Sequence, residues 1–347
     1  MAYYPLLFEA NLHPVVWGGH RLMPWKGLGE ATGTPIGESW EVSAVPSSPS
    51  IIANGRWKGR TLPQVLAEHP VELLGQAVAD KYEGEMPLLV KFIDAERNLS
   101  IQVHPNDEMA QRLGGKRGKT EMWYIIDAKP EAYLYAGFKD TLTPEQYKAK
   151  VADGTITDAL ARHEVHRGDV FYLPAGRVHA ICGGILLAEV QQSSDVTYRI
   201  FDYNRPGMDG KPRQLHTELA SQALDFDVHD DYRTHYFAND HQANHCIESP
   251  YFSVRVVDVR GPFHRNLMKY DSFVVSVCLS GDCCIAIRST GEKVTLHEGS
   301  SCFIPAAIAD YDVFPLQGSA KLLDTYIDNM DRSAVGRLTR FLHLTDK

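Results

Sequence analysis

The sequence is first notable for what it lacks. Its six cysteines (Cys182, Cys246, Cys278, Cys283, Cys284 and Cys302) contain no C-x-x-C pair. Cys283 and Cys284 are adjacent, a spacing that suits the two faces of a strand better than a disulfide framework. Reduced thiols in a cytoplasmic compartment are the expectation. There is no polybasic run, and the formal net charge is -9, which excludes a nucleic-acid or anionic-membrane surface. No stretch approaches the roughly 20 apolar residues of a membrane span. The opening "MAYYPLLFEANLHPVVWGG" has neither a basic start nor a long apolar core, so no secretory signal is expected. Any phosphate-bearing ligand must therefore be met by positive charge gathered locally.

What is present is a chain of 347 residues with 44% hydrophobic content, enough for a full core in two domains or one elaborate one. Helical periodicity is confined to patches: "TLPQVLAEHPVELLG" (61–75), "TPEQYKAKVADGTITDALARH" (143–163) and "RQLHTELASQALDF" (213–226). Much of the remainder alternates in period two, as in "SVRVVDV", "FVVSVCL" and "CIAIRS". Short strands punctuated by Gly and Pro predict a mainly β protein, an antiparallel barrel or jelly roll carrying inserted helices.

One segment occurs twice. "RGDVFYLPAGRVHAI" (167–181) aligns with "EGSSCFIPAAIADYD" (298–312) at a constant offset, placing Gly168 on Gly299, Pro174 on Pro305 and His179 on Asp310. The echo predicts two related barrels, with the histidine in the first copy alone.

The chemistry starts at "NLSIQVHPND" (98–107), where Gln102 and His104 interrupt an apolar run that begins with "PLLVKFIDAER". Residues two apart share a strand face, so the pair projects together while Ile101 and Val103 pack the other way. Glu121 stands at the mouth of another strand in "GKTEMWYII", and His179 follows a strand and a Pro/Gly turn. Two imidazoles, a carboxylate and an amide oxygen make a shell for Zn²⁺ or a similar divalent ion, with a position open to water or substrate. The plain alternative is a hydrogen-bonded Gln/His pair in a strand. The spacing G-x5-P-x-G-x2-H from Gly168 to His179 argues against it, because it matches the second cupin motif at every fixed position. The first cupin motif, usually H-x-H followed closely by Glu, here reads Gln102-x-His104 with Glu121 beyond an insertion.

That departure is itself informative. "SIQVHP", "GKTEMWYI", "LPAGRVHAI" and "TYRIFDYNR", preceded by "PVVWGGHRL" and "IGESWEVS", together resemble the type I phosphomannose isomerases of the shorter bacterial form. The resemblance implies two cupin (jelly-roll) β-barrels with helical insertions: a catalytic domain over 1–240 and a degenerate, metal-free cupin over 241–347. It implies interconversion of mannose 6-phosphate and fructose 6-phosphate, with a single Zn²⁺ held by Gln102, His104, Glu121 and His179. It also implies catalytic roles for Arg199, Lys119 and Glu189, and substrate contacts for Ser100 and Arg205. The expected partner is a small sugar phosphate, with no nucleic acid or membrane, on a monomer or weak homodimer.

Aldose–ketose isomerisation moves a proton between C2 and C1 through an enediol. It calls for carbonyl polarisation, a cation for the developing charge and a base. The base is open between Lys119, Glu189 and a metal-bound hydroxide. The phosphate is open among Arg199, Lys119, Ser100 and Arg205. The His/Asp-rich stretch "HDDYRTHYFANDHQANH" (229–245) has irregular spacing and reads as a polar connection between domains. Trp17, Trp40 and Trp123 read as core or cavity wall. Rival readings are an iron dioxygenase, another sugar-phosphate isomerase of the cupin class, a sugar-sensing cupin module and a storage bicupin. The sensor is disfavoured by the absence of a helix-turn-helix segment with a basic face. The storage protein would have no need of a cavity carrying Lys119, Glu189 and Arg199.

Overall fold

A computed structural model describes residues 2–330. Its first eleven strands are β1 (Leu12–Gly19), β2 (Ile36–Val42), β3 (Leu88–Ala95), β4 (Ile101–Val103), β5 (Glu121–Ala128), β6 (Tyr133–Phe138), β7 (Leu160–Glu164), β8 (Val170–Leu173), β9 (His179–Ile181), β10 (Ile185–Gln192) and β11 (Tyr198–Phe201). They form a six-stranded sheet in the order β1-β2-β3-β10-β5-β8 and a five-stranded sheet in the order β11-β4-β9-β6-β7. The nine that follow are β12 (Ala243–Glu248), β13 (Ser253–Val259), β14 (Phe263–Asn266), β15 (Val274–Ser280), β16 (Cys283–Ile287), β17 (Lys293–Leu296), β18 (Ser301–Ile304), β19 (Asp310–Pro315) and β20 (Ala320–Tyr326). These pair as β12-β13-β20-β15-β18 and β14-β19-β16-β17.

The strand order of the second half repeats that of the first with ten added to each number: β3-β10-β5-β8 becomes β13-β20-β15-β18, and β4-β9-β6-β7 becomes β14-β19-β16-β17. The sequence echo lies on this repeat. β8 and the start of β9 correspond to β18 and the start of β19 at the offset read from the residues, and Gly168 and Gly299 both carry positive φ (92° and 78°) in the preceding turn. Among the described residues no sheet closes on itself, so the expected barrels are open sheet pairs. Each pair is filled face to face by apolar side chains. Trp123, Ile125, Leu134, Ile181 and Leu187 join the first two sheets, and Val257, Cys278, Ile285, Tyr311 and Leu322 join the second two. A third cluster runs from Val90, Met122 and Val190 on the outer face of the six-stranded sheet to Val254, Val277 and Leu323, so the halves share a core.

The helices are shorter than their patterns predict, for identifiable reasons. The 61–75 segment splits into Leu62–Glu68 and Pro70–Leu74, because Pro70 lacks the N–H that would continue the first helix. The 143–163 segment is helical over Pro144–Asp153, opened by a Thr143/Gln146 capping box and stopped at Gly154 with φ 78°. Residues 160–164 instead pair with β6 as β7. In 213–226 only Thr217–Ala223 is helical. The 229–245 stretch is largely exposed and lies between the halves, with His235 paired to Asp231 at 2.7 Å.

Candidate metal centre and cleft

Ile101 and Val103 pack against the helices outside the five-stranded sheet, in a cluster with Tyr147 and Ala220, which turns Gln102 inward. Gln102 is paired in register with His179 on one side and with Arg199 on the other. Across the interior, period two on the approach to and along β5 puts Lys119, Glu121 and Trp123 on one face. The two sheets thereby deliver His104, Glu121 and His179 to one spot, with ligand atoms all within 4.8 Å of one another. All three are buried.

The hydrogen bonds around this spot fix which atoms face inward. His104 Nδ1 donates to the Val196 carbonyl (2.8 Å) and His179 Nδ1 to the Arg177 carbonyl (2.9 Å), so each ring turns an Nε2 lone pair to the centre. Burial, aided by the Lys119 charge, holds both imidazoles neutral: His104 well below its ordinary range and His179 at about 3. Glu121 Oε1 lies 3.1 Å from His179 Nε2 and has no hydrogen-bond donor, although it is fully buried. Glu121 is pushed up to about 7, chiefly by burial, with Lys119 opposing and Glu189 reinforcing the shift. With Glu121 ionised, two acceptors face each other in a dry interior, a poor arrangement unless a cation lies between them. Two neutral imidazoles, a carboxylate and the Gln102 amide, 3.4 Å from His179 Nε2, therefore fit a divalent ion.

Beside the centre runs a cross-strand row. Trp123, Glu189, Lys91 and Trp40 stand opposite one another on β5, β10, β3 and β2. Trp123 Nε1 donates to Glu189 Oε1 at 2.9 Å, and Lys91 Nζ lies 3.5 Å from Glu189 Oε2 and 3.4 Å from Glu38. Burial alone would raise Glu189, but Lys119, Lys91 and the Trp123 hydrogen bond outweigh it and keep the carboxyl below its ordinary value. Lys119 Nζ reaches Glu121 at 2.7 Å and His104 Nε2 at 3.1 Å.

Lys91, Lys119, Glu38 and Glu189 line a cleft of about 170 Å³, together with Ser100, Gln102, Arg199 and, on its apolar side, Trp17, Ile93 and Leu99. His104, Glu121 and His179 sit directly behind Gln102 and Lys119 in this wall. Of the residues expected to catalyse or to bind substrate, Arg205 alone stands away from the cleft: it donates to Asp202 (2.8 Å) and to the Asn98 carbonyl. Sequence reasoning passed over Lys91, Glu38 and Arg213, which do line it. Lys91 had a signal: it is a lysine inside the buried run "LLVKFI", the same anomaly that marks Gln102. Arg213 lies in a polar segment with nothing to set it apart.

Mainly β, with a buried centre suited to a divalent ion beside paired lysines and a carboxylate, the molecule has the features of a metal-dependent cupin-type enzyme. The family model for the catalytic domain of type I phosphomannose isomerase matches residues 7–149, and that for the mannose-6-phosphate isomerase cupin domain matches 242–327. The chain is 34% identical to the mannose-6-phosphate isomerase ManA of Bacillus subtilis over 93% of its own length and 99% of that protein. It is 35% identical to the probable mannose-6-phosphate isomerase GmuF of the same organism, over 89% of this chain and 96% of the relative. The crystal structure of the mannose 6-phosphate isomerase from Bacillus subtilis superposes with a TM-score of 0.83 at 30% identity, covering 93% of this chain and 99% of that one. The chain belongs to the type I phosphomannose isomerases, a family of aldose–ketose isomerases.

Proposed function

We propose that the protein interconverts mannose 6-phosphate and fructose 6-phosphate through an enediol at the His104–Glu121–His179 centre. The observation that supports this most directly is that centre itself, with an unpartnered Glu121 oxygen, adjoining a cleft that carries Lys119, Glu189 and Arg199. Gln102, His104, Glu121 and His179 would hold the ion, and Zn²⁺ suits two imidazoles with a carboxylate. When bound, the ion supplies Lewis-acid polarisation of the sugar carbonyl.

The remaining work falls to side chains of this chain. Glu189, kept ionised between Trp123 and Lys91, accepts the C2 proton. Lys119, ion-paired with Glu121, donates toward the oxygen on which charge develops, and Arg199 adds a second cation from β11. Ser100, which is buried on the cleft wall, orients a sugar hydroxyl. Trp17, Ile93 and Leu99 exclude water from the apolar side.

The same proposal divides the chain into a catalytic cupin domain over 1–240 and a cupin without metal ligands over 241–347, acting on a small sugar phosphate in the cytoplasm. The repeated strand order supports a two-cupin ancestry, and the register puts Asn266, Val274 and Asp310 at the positions that Gln102, Glu121 and His179 hold in the first half. A coupled assay for fructose 6-phosphate formed from mannose 6-phosphate, before and after chelation, tests the reaction. Turnover that is abolished by a chelator and restored by Zn²⁺ is expected. Absence of turnover by the metal-loaded protein, or full turnover after exhaustive chelation, rejects the proposal.

A further inference from the structure

Two arginines, Arg213 on the cleft wall and Arg205 behind it, grip a single carboxylate, and a third, Arg199, lies beside them. Asp202 is buried, and its Oδ1 accepts from Arg205 Nη2 (2.8 Å), Arg205 Nε (3.1 Å) and Arg213 Nη2 (2.6 Å), while Oδ2 accepts from Arg213 Nε (2.7 Å). The segment carrying Arg213 is strapped to the edge strand β11. Arg199 Nη1 donates to the Gln214 carbonyl (3.0 Å), the His216 amide to the Arg199 carbonyl (2.7 Å), and the Arg199 amide to His216 Nδ1 (3.1 Å). Arg213 is thereby fixed next to Arg199, one chain further from His179 than β11 itself.

Charge balance differs sharply between the two parts of the cleft. Lys91 is offset by Glu38 and Glu189, and Lys119 by Glu121. Around Asp202, two guanidinium groups share one carboxylate with the Arg199 charge close by, and Arg199 Nε is buried with no hydrogen-bond partner. Burial lowers the pKa of Arg199, and the neighbouring Arg213 and Arg205 lower it further against Asp202, as expected for positive charge in excess. Asp202 occupies the Nε and Nη2 edge of Arg213 and leaves the Nη1 edge for another acceptor. A guanidinium held rigidly in this way suits the planar, two-point recognition of a phosphate.

Building on the isomerase proposal, we propose that Arg213 binds the substrate phosphate and that Asp202 is a positioning residue that aims its guanidinium. The order along the sheet agrees with a ligand that reacts at one end and carries its anion at the other. The metal-centre residue Gln102 pairs with Arg199, and Arg213 lies beyond it.

The test measures binding of inorganic phosphate to the metal-loaded protein by calorimetry, and steady-state kinetics with mannose 6-phosphate, for wild type, Arg213→Ala, Arg213→Lys and Asp202→Asn. Losing a charge-assisted contact should weaken phosphate binding and raise KM about tenfold to a hundredfold in Arg213→Ala, with kcat within about threefold and metal content unchanged. Arg213→Lys should recover part of the loss. Asp202→Asn should raise KM more than it lowers kcat. Unchanged phosphate affinity and KM in a folded Arg213→Ala protein overturn the proposal, as does a fall in kcat at constant KM. Should Arg213→Ala not fold, Arg213→Lys decides instead: weakened phosphate binding supports the proposal, and wild-type affinity overturns it. A wild type that binds phosphate through Arg213 yet has no isomerase turnover rejects the proposed reaction and leaves the anion site standing.

Discussion

Glu121 Oε1 and His179 Nε2 face each other across 3.1 Å, and the imidazole brings no proton to the contact. The ring's proton is committed to the Arg177 carbonyl, and the carboxylate oxygen has no donor of its own. Removing His179 should therefore dismantle the centre, whereas removing a cleft cation should spare it. His179→Ala is expected to lose bound metal and isomerase turnover together. Arg199→Ala should keep its metal and lose about a hundredfold or more in kcat. Metal content by mass spectrometry alongside turnover tests both, and full activity in a metal-free His179→Ala protein sinks the mechanism.

The row Trp123–Glu189–Lys91 makes a second prediction. Trp123→Phe keeps the ring packed edge-on to His179, with centroids 5.3 Å apart, but deletes the N–H that reaches Glu189. A hydrogen bond to a charged group is worth about 1.5–3 kcal/mol, so a tenfold or greater fall in kcat is expected with metal retained. Wild-type kcat in this variant would remove Trp123 from the orientation of Glu189.

How much of this was legible from residues alone depended on whether a side chain contradicted its surroundings. Gln102 and His104 stood out as polar groups in an apolar strand, and strand alternation was enough to pair them. His179 was announced by a turn whose Pro and Gly have fixed places. The repeat at 298–312 was visible as well, because the same turn geometry needs the same glycine at its start, Gly168 or Gly299. Arg213 was not legible: a charged residue in a polar segment is the ordinary state of a surface, and only the register of 213–216 against β11 brings it to the cleft. Arg205 shows the converse, a basic residue in a telling motif whose guanidinium is turned to Asp202 and the Asn98 carbonyl. Helix ends depart from the local pattern where tertiary pairing overrides it, as where residues 160–164 join β6 instead of extending the helix that ends at Asp153. Closure of the sheets is a matter of edge pairing, on which period-two alternation is silent.

The two halves are joined by polar contacts that are themselves buried. Glu41 accepts from Lys26 (2.7 Å) and Ser39 (2.6 Å) through Oε1, and from Ser301 (2.9 Å) in the second half through Oε2. Glu41→Ala leaves the buried Lys26 ammonium without its carboxylate, a change that typically costs about 3–5 kcal/mol. Because Ser301 loses its partner too, the loss should fall on the seam. The expected result is a lower melting temperature and earlier proteolysis between the halves. An unshifted melting curve would show that the apolar cluster alone holds them together.

The second half retains a charge at the position that Glu189 holds in the first half. Asp324 on β20 stands opposite Ser276 and Arg255, as Glu189 on β10 stands opposite Trp123 and Lys91. Here the carboxylate is fully engaged, by Arg265 Nε (3.0 Å), Ser276 Oγ (2.7 Å) and Tyr311 Oη (3.0 Å), and it is completely buried. Arg265 and Tyr311 thus fill what is an open cleft in the first half, and the network works as packing. Asp324→Ala leaves Arg265 as an uncompensated buried cation and should destabilise the protein by about 3–5 kcal/mol. Replacing Asp324 and Arg265 together by leucine removes both charges and should cost less than Asp324→Ala alone. Urea unfolding of the two variants decides the point, since a double variant less stable than Asp324→Ala would mean that the pair contributes more than mutual neutralisation. Isomerase kinetics of whatever folds should match the wild type, because no group of this network lines the cleft beside the His104–Glu121–His179 centre.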